Sequence, residues 1–593
     1  MAMSAQDARK ALQTAIAQHQ AGRLTEAEAL YRRILAGFPR HPDALHFMGL
    51  LAHQHGQHDA ALALMDQALR EAPGHAPCYS NRGNILLALG RLNEAVASFR
   101  QALALDRNLA EAHLNLGNAL QQQGLPEAAV ASYRRAVALR PDFVEAHFNL
   151  ANVLQAAGQR EEAIACYQKV LALQPDHADA HNNLGAQFEL AGLPEPAMAS
   201  YRQALALRPV FPEAHNNLGN ALLADGHADA AIASYTTAIA QRPDYAEAHN
   251  NLGNALQAAG RLDEALLSHD RALALRPGLP GARWNKAFAL LLQGDFAAGW
   301  RLFESRWELL DNHPEVAIFT APLWLGDAPL AGRTLLVHHE QGLGDTLQML
   351  RYVPLLAAQG ARVVVQVPAT LAALAATVTG VASVVTAGEP LPAHDLHCPC
   401  MSLPLACRTT LATIPAVVPY LVVPDAVGAL WRTRLGDTRS DERAGPRIGL
   451  AWSGSTAHRN DRQRSLALRQ LLPLLEMRAE FHSLQKEYRP GEHEQLIAHG
   501  GVHDWSASLD TLADTAGLIA QLDLVIAVDT AVAHLAGALG KPVWLLLPAA
   551  PDYRWLLGRT DSPWYPTMRL FRQPAFGDWE SVLAAVATAL LRE

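Results

Sequence analysis

The sequence predicts an all-α repeat solenoid followed by an α/β region of two doubly wound, parallel-sheet lobes. Three observations carry this reading. Glycine recurs every 34 residues, at Gly22, Gly56, Gly90, Gly124, Gly158, Gly192, Gly226, Gly260 and Gly294. An aromatic follows nine residues after most of these, as in Tyr31, Phe99, Tyr133, Tyr167, Tyr201, Tyr235 and Phe303, and a proline closes most units. From Arg333 onward this periodicity gives way to short β-branched runs alternating with helical segments. A fixed period of this length marks a stacked array, and alternating strand and helix signals mark parallel sheets with crossover helices.

Composition narrows the function classes. Of 593 residues, 48 are Lys or Arg and 57 are Asp or Glu, for a formal net charge of −9. A broad nucleic-acid-binding surface needs a basic stripe, so nucleic acid is not an expected partner. Half of the residues are hydrophobic and 18% are charged, enough apolar material for cores and too little charge for bulk disorder. Five cysteines without paired spacing make no disulfide framework and suit a reducing compartment. The first ten residues lack the apolar core of a leader, and no run approaches the roughly 20 apolar residues of a membrane span. The expectation is a cytoplasmic protein.

The solenoid is expected over residues 8–313. In "AHLNLGNALQQQG" the apolar positions recur at helical spacing, and Gly124 supplies the reversal into a second amphipathic helix, "EAAVASYRRAVALRP". Pro141 stops that helix. One polar column stands out: Asn81, Asn115, Asn149, Asn183, Asn217, Asn251 and Asn285 share a register, with Asn84, Asn118, Asn152, Asn220 and Asn254 one turn on. Asparagine is a mediocre helix former, so its repetition needs a return. Its amide both donates and accepts, which suits an extended peptide backbone; bonding between neighbouring helices and water is the alternative. The last unit gathers Trp284, Trp300 and Trp307, with Trp324 shortly after, as expected of a solenoid end buried against the next domain. Residues 314–332 read as a linker.

The α/β region divides into lobes at 333–425 and 446–593, joined by a linker at 426–445. "RTLLVHH", "ARVVVQV", "RIGLAWS", "LDLVIAV" and "KPVWLLL" are candidate buried strands. Facing lobes of this kind leave a cleft at the carboxyl ends of their strands. Three motifs fall at such ends. "HHEQGLGDTLQML" places Gly342 and Gly344 in a tight turn before Asp345, either a helix cap or a catalytic base. "AWSGSTAHRNDRQRS" brings Ser453, Gly454 and Ser455 near Arg459, Arg462 and Arg464, either a diphosphate site or a solvated basic loop. "LVIAVDTAVAHLAGALGKP" sets Asp529 and Thr530 at a helix start, with His534 one turn in; Asp529 can accept bonds from sugar hydroxyls, and Thr530 with the following amides can hold phosphate.

The 34-residue pattern resembles the tetratricopeptide repeat, and the asparagine column resembles the ladder of the repeat domain in protein O-GlcNAc transferases, where it holds acceptor polypeptide. Residues 333–590 resemble the heptosyltransferase-type glycosyltransferases, of the GT-B fold and glycosyltransferase family 9. The resemblance rests on Gly344-Asp345 and on the block from Asp529 to Pro542 that reads D-T-x-x-x-H-L-A-x-A-L-G-x-P. Ala531 stands where that family has glycine, and Arg464 where it has lysine. The resemblance implies Asp345 as catalytic base, Arg464 as phosphate ligand, and Asp529 with His534 in the donor site, to which Gly344, Ser453, Gly454, Lys486 and Thr530 are added. It implies a metal-independent, inverting transfer from a nucleotide-sugar to a Ser or Thr hydroxyl of a protein held along the asparagine track, with no resident cofactor. Relatives of this layout modify flagellin. A saccharide or lipid-linked acceptor, with the repeats as a docking module, and a non-catalytic scaffold are the alternatives.

Three further features have two readings each. His394, His397, Cys398 and Cys400 lie close together in a spacing that matches no standard zinc pattern. Lys486 can reach phosphate or remain a surface lysine. Tyr553 and Trp555 can stack on a nucleotide base or pack in the core.

Overall fold

The computed structural model describes residues 4–309, 319–436, 445–455 and 461–592. The chain divides into two compact units, Met1–Ala221 and Leu222–Glu593. The first unit is entirely helical. Antiparallel helix pairs run from Ala5–Gln20 and Leu24–Gly37 through Ala178–Leu190 and Pro194–Leu207. Each pair turns at one of the 34-spaced glycines, which adopt φ between +71° and +95°, a region that side chains with a Cβ rarely enter. The periodic aromatics Tyr31, Phe99, Tyr133, Tyr167 and Tyr201 are fully buried between the paired helices.

The asparagine column binds the stack together. Asn115 donates to Asn84 at 2.8 Å, Asn149 to Asn118 at 3.0 Å, and Asn183 to Asn152 at 3.1 Å, each amide reaching into the preceding repeat. Asn217 donates to Asn182 at 3.1 Å, and Asn81 lies 2.8 Å from His46. Tyr133 and Tyr167 donate to the same acceptors, Asn118 and Asn152, at 2.7 Å. Mid-helix asparagine is thus repaid locally by bonds between repeats. Each such bond uses one of the two N–H groups of the donating amide.

The second unit opens with the closing repeats, helices Ala228–Gln241, Ala246–Ala258, Leu262–Leu275, Ala282–Gln293 and Phe296–Phe303. The α/β region follows. Its smaller sheet has strands β1 (Thr334–His338), β2 (Arg362–Val367), β3 (Val381–Thr386) and β4 (Leu396–Pro399), all parallel, in the order β3-β2-β1-β4. The larger sheet has β5 (Arg447–Ala451), β6 (Glu480–Ser483), β7 (Val502–Asp504), β8 (Leu524–Val528), β9 (Val543–Leu547) and β10 (Met568–Arg572). They are also parallel, in the order β7-β6-β5-β8-β9-β10. That order winds outward in both directions from β5 and β8, as in doubly wound nucleotide-binding sheets.

Both faces of the larger sheet's central strands β5, β8 and β9 are buried, which is why these read as continuous apolar runs. Val525 and Ala527 of β8 enter the core shared with the smaller sheet and the last repeat; Leu524, Ile526 and Val528 face helices Leu468–Leu475 and Trp579–Leu590. The tryptophans at the solenoid end pack as expected. Trp300 is 1% exposed, with Phe303 and Tyr553 at ring distances of 5.3 and 5.5 Å.

Two stretches read as linkers are structured. Residues 425–435 form the helix Asp425–Leu435, whose Trp431 is fully buried against Gly517. Val427, Trp431 and Leu435 recur at one-turn spacing, a signal masked by the charged residues between them. Within 314–332, residues 314–318 lie outside the described residues. Trp324 is buried and its N–H donates to the His397 carbonyl at 2.8 Å, extending the edge of the smaller sheet.

Candidate functional site

The order of the larger sheet reverses between β5 and β8, and open parallel sheets bind ligands outside their carboxyl ends at such a reversal. A cleft of about 1910 Å³ lies there. It is lined by residues 342–345 after β1, 453–455 after β5, 484–487 after β6, 529–532 after β8 and 548–552 after β9. Asn254 and Asn285 of the closing repeats line it as well. Of the asparagine track, Asn285 therefore reaches the cleft, while its amide also donates to Asn250 at 3.2 Å.

Asp345 is the third residue of the helix Leu343–Met349, and its Oδ2 accepts the Gly342 N–H at 2.8 Å. Gly342 is the N-cap, so Asp345 caps the helix from its third position rather than as the N-cap residue weighed from sequence. Its other oxygen, Oδ1, is ion-paired with Arg554 Nη2. Asp345 thus caps its helix and also meets a guanidinium from the other lobe. A Cβ on Gly344 would stand 2.9 Å from His534 Cδ2 and 3.5 Å from Ala531 Cα. Glycine there lets this helix close onto the helix Ala531–Ala538, so Gly344 lines the cleft through a close backbone approach.

Asp529 follows β8. Its Oδ2 accepts the Trp555 indole N–H at 2.9 Å, and its Oδ1 lies 3.7 Å from His534 Nε2. His534 Nδ1 in turn lies 2.9 Å from the Tyr565 hydroxyl. Burial alone would push the Asp529 carboxyl up; His534, the Trp555 indole and Arg554 outweigh it and hold Asp529 below the usual carboxylate range. Thr530 caps the helix Ala531–Ala538 with extended backbone, and its hydroxyl is buried without a hydrogen-bond partner among the described residues.

Arg464 donates from Nη1 to the Asp529 carbonyl at 3.0 Å, and its guanidinium lies against Gly454, where a Cβ would meet Nη2 at 2.5 Å. Its Nε is buried with no hydrogen-bond partner among the described residues. Arg459, and the side chain of Arg462, lie outside the described residues. Ser453 lines the cleft, but Gln485 holds it: Gln485 Nε2 donates to the Ser453 hydroxyl at 2.9 Å and to its carbonyl at 3.0 Å. Lys486 stands at the rim and donates to the Ser506 carbonyl at 3.1 Å and to Asp510 at 3.3 Å.

Tyr553 and Trp555 are core side chains, 2% and 0% exposed, so neither offers a face for a nucleotide base. Between them lies the residue that sequence reasoning missed. Arg554 joins Asp345 to Asp552, to which its Nη1 donates at 2.7 Å, and its Nε donates to Gln348 at 2.6 Å. An arginine flanked by two candidate stacking aromatics was the available signal. Burial pushes the Asp552 carboxyl up, aided by the charges of Asp529 and Asp345, against the pull of Arg554. Outside the cleft, His338 Nε2 lies 3.2 Å from His397 Nδ1, with Phe319 stacked on both rings. Among the described residues no three His, Cys, Asp or Glu side chains gather where they could hold a metal ion.

Sequence profiles described as TPR or tetratricopeptide repeat match residues 12–76, 83–124, 110–143, 142–209, 195–226, 216–280 and 280–305. The chain carries tetratricopeptide repeats. "Protein FlbA" of Caulobacter vibrioides is 29% identical over 333 residues, covering 51% of this chain. The chain spans about half the length of that relative, 54%. Among solved structures, MamA is 26% identical over 28% of this chain and 96% of its own, with a TM-score of 0.27. YrrB, described as a TPR protein with an unusual peptide-binding site, is 24% identical over 32% of this chain and 98% of its own, with a TM-score of 0.29. No helix among the described residues is long and apolar enough to cross a membrane.

Proposed function

We propose that the chain is a GT-B glycosyltransferase that moves a sugar from a nucleotide-sugar to a Ser or Thr hydroxyl of a protein acceptor captured by its repeats. One observation supports this reading above the others: Asp345, Asp529, Arg464 and the repeat asparagines Asn254 and Asn285 line a single cleft at the reversal of a doubly wound sheet. Asp345 accepts the hydroxyl proton as the acceptor oxygen attacks the anomeric carbon. The bond from that carbon to the diphosphate breaks, its electron pair leaves with the nucleotide, and the single displacement inverts the centre. Arg464, Thr530 and the free amides that follow receive the developing phosphate charge, the task a metal ion performs elsewhere. Asp529 accepts bonds from sugar hydroxyls, oriented by Trp555 and His534. Surface-organelle proteins such as flagellin are the acceptor class that the resemblance suggests, and the cytoplasm is the compartment that this chemistry suits.

A second reading gives the enzyme a saccharide or lipid-linked acceptor. The observation favouring it is that the amides of the asparagine column bond one another, which suits a structural role. Calorimetry with free nucleoside diphosphates tests the donor site common to both readings. Arg464→Ala should weaken the diphosphate that binds wild type by about tenfold or more, through loss of a charge-assisted contact, while Asp529→Ala leaves it within about threefold. Equal affinity in both variants would remove Arg464 from phosphate binding, and no affinity for any nucleotide in wild type would count against transferase function.

A further inference from the structure

The loop after β9 brings one short turn against both the candidate base Asp345 and the donor-site carboxylate Asp529. Residues 553–555 form a single 3-10 turn capped by Asp552, whose Oδ1 accepts the Arg554 N–H at 3.1 Å. From this turn Arg554 reaches Asp345 and Trp555 reaches Asp529. The turn is fixed from two sides. Tyr553 is buried among Phe288, Trp300 and Phe303 of the last repeat, at ring distances of 5.5, 5.5 and 6.2 Å. Arg572 Nη2 donates to the carbonyls of Trp555 at 3.2 Å and Leu556 at 2.8 Å. Leu556 itself stands at φ +48°, a conformation unusual for a residue with a Cβ, and its carbonyl is held there by Arg572.

Within this frame Arg554 uses its planar fork in three directions: Nε to Gln348, Nη1 to Asp552 and Nη2 to Asp345. It is 7% exposed, and buried arginines of this kind are held by the geometry of their partners. With Asp345 and Asp552 both ionised, one guanidinium between them leaves a charge of 1 − 2 = −1 on this bridge, with the Asp529 carboxylate also in the field of Arg554. The guanidinium is therefore shared, and Asp345 is held by Nη2 while Nη1 is committed to Asp552. Had Arg554 faced Asp345 alone, the pair would be neutral and the carboxylate a closed salt bridge.

We infer that Arg554 is a positioning residue of the cleft, acting through Asp345, with Asp552 as the counter-carboxylate that keeps the bridge from neutralising it. The inference rests on the glycosyltransferase reading. It adds to that reading a residue, and a charge balance, that the resemblance to known transferases does not supply.

The test is a double-mutant cycle on turnover. Wild type is supplied with UDP-, GDP-, dTDP-, ADP- and CMP-linked sugars, and nucleotide release is measured with each. With the donor that is used, Asp345→Asn, Arg554→Gln and the double variant are compared per folded protein, at a temperature well below each melting point. A positioning residue lowers kcat and leaves the donor KM within about threefold; a misplaced base commonly costs about 10²-fold. Because Arg554 acts through Asp345, the double variant should be no slower than Asp345→Asn alone, within about threefold. Arg554→Lys should recover less than about tenfold of the loss, since an ammonium cannot hold three partners in one plane. Asp552→Asn, which keeps the shape of the bridge and leaves Arg554 in place, should lower kcat by about tenfold. Losses from Asp345→Asn and Arg554→Gln that multiply in the double variant, or Asp552→Asn with wild-type kcat, would overturn the inference and leave the transferase reading standing. Nucleotide release from none of the donors would overturn that reading, and the inference with it.

Discussion

Asp345→Asn separates a catalytic carboxylate from a helix cap in one substitution. Asparagine keeps the acceptor that meets the Gly342 N–H at 2.8 Å and nearly the same volume, but it cannot take a proton at neutral pH. A general base contributes about 10²–10⁴-fold, equivalent to about 2.7–5.4 kcal/mol of barrier at about 1.36 kcal/mol per tenfold. The structure adds a stability term that the sequence did not announce. Arg554 loses a charged partner and keeps Asp552 and Gln348, so the folded state should lose about 1.5–3 kcal/mol, the range of hydrogen bonds to charged groups. The assay measures nucleotide release and acceptor mass together, with thermal melting on the same preparations. Turnover reduced by about 10² or more, with donor affinity intact and a melting temperature only a few degrees lower, supports the base. Turnover within a few-fold of wild type would refute the reasoning and leave Asp345 as a cap. The base would then be sought at His338, His339 or Glu340 on the approach to the same turn.

Replacing Asn149, Asn183, Asn217 and Asn251 by alanine should weaken binding of an acceptor peptide by about tenfold or more; because Asn149, Asn183 and Asn217 also bond across repeats, melting should fall modestly, by about 1 kcal/mol per bond, read by calorimetry and circular dichroism. Unchanged affinity in a variant that keeps its helical signal would dismiss the peptide track. Trp300→Ala should cost about 3–5 kcal/mol, because a side chain 1% exposed leaves a cavity between the last repeat and Tyr553; a loss below about 1 kcal/mol in chemical denaturation contradicts that packing. Burial, with the neighbouring His397, lowers the His338 imidazole to about 3, against about 6.5 when unfolded. Between those values the unfolded chain binds more protons, so this stability is full above about pH 6.5 and declines as pH falls toward about 3. At pH 5 the loss from this one group is about 2 kcal/mol. His338→Phe should shrink the stability difference between pH 7.5 and pH 5 by about that amount, and an unchanged difference would show that His338 carries no such linkage.

The solenoid was legible because its signals are local and repeated: a glycine that needs positive φ, an aromatic that fills the groove and a proline that stops the helix each act within one unit. The buried strands β1, β2, β5, β8 and β9 were legible as apolar runs for a similar reason, both faces of each being covered. β6 was read only from its end at Lys486, and β3, β4, β7 and β10 were not read, a strand such as Val502–Asp504 presenting three residues and no pattern. Asp345, Asp529, Thr530 and Arg464 could be placed at one cleft because parallel sheets put their loops at one end. Arg554 could not, because its partners Asp345 and Gln348 lie more than 200 residues away and only the folded lobes bring them together. The inter-repeat pairing of the asparagines shows the same limit. The column was visible as a register and bonding between helices was one of its two readings, but the particular pairs, 31 residues apart, depend on the stack.

The central claim is that this cleft transfers a sugar from a nucleotide to a protein held by the repeats. Intact-mass analysis of candidate acceptors, co-expressed with wild type or with Asp345→Asn, measures it directly. The account predicts a mass increment of one or more glycosyl units on Ser or Thr of an acceptor with wild type, absent with Asp345→Asn. Acceptors of unchanged mass beside a folded wild-type protein, together with no nucleotide release from any donor, would contradict it.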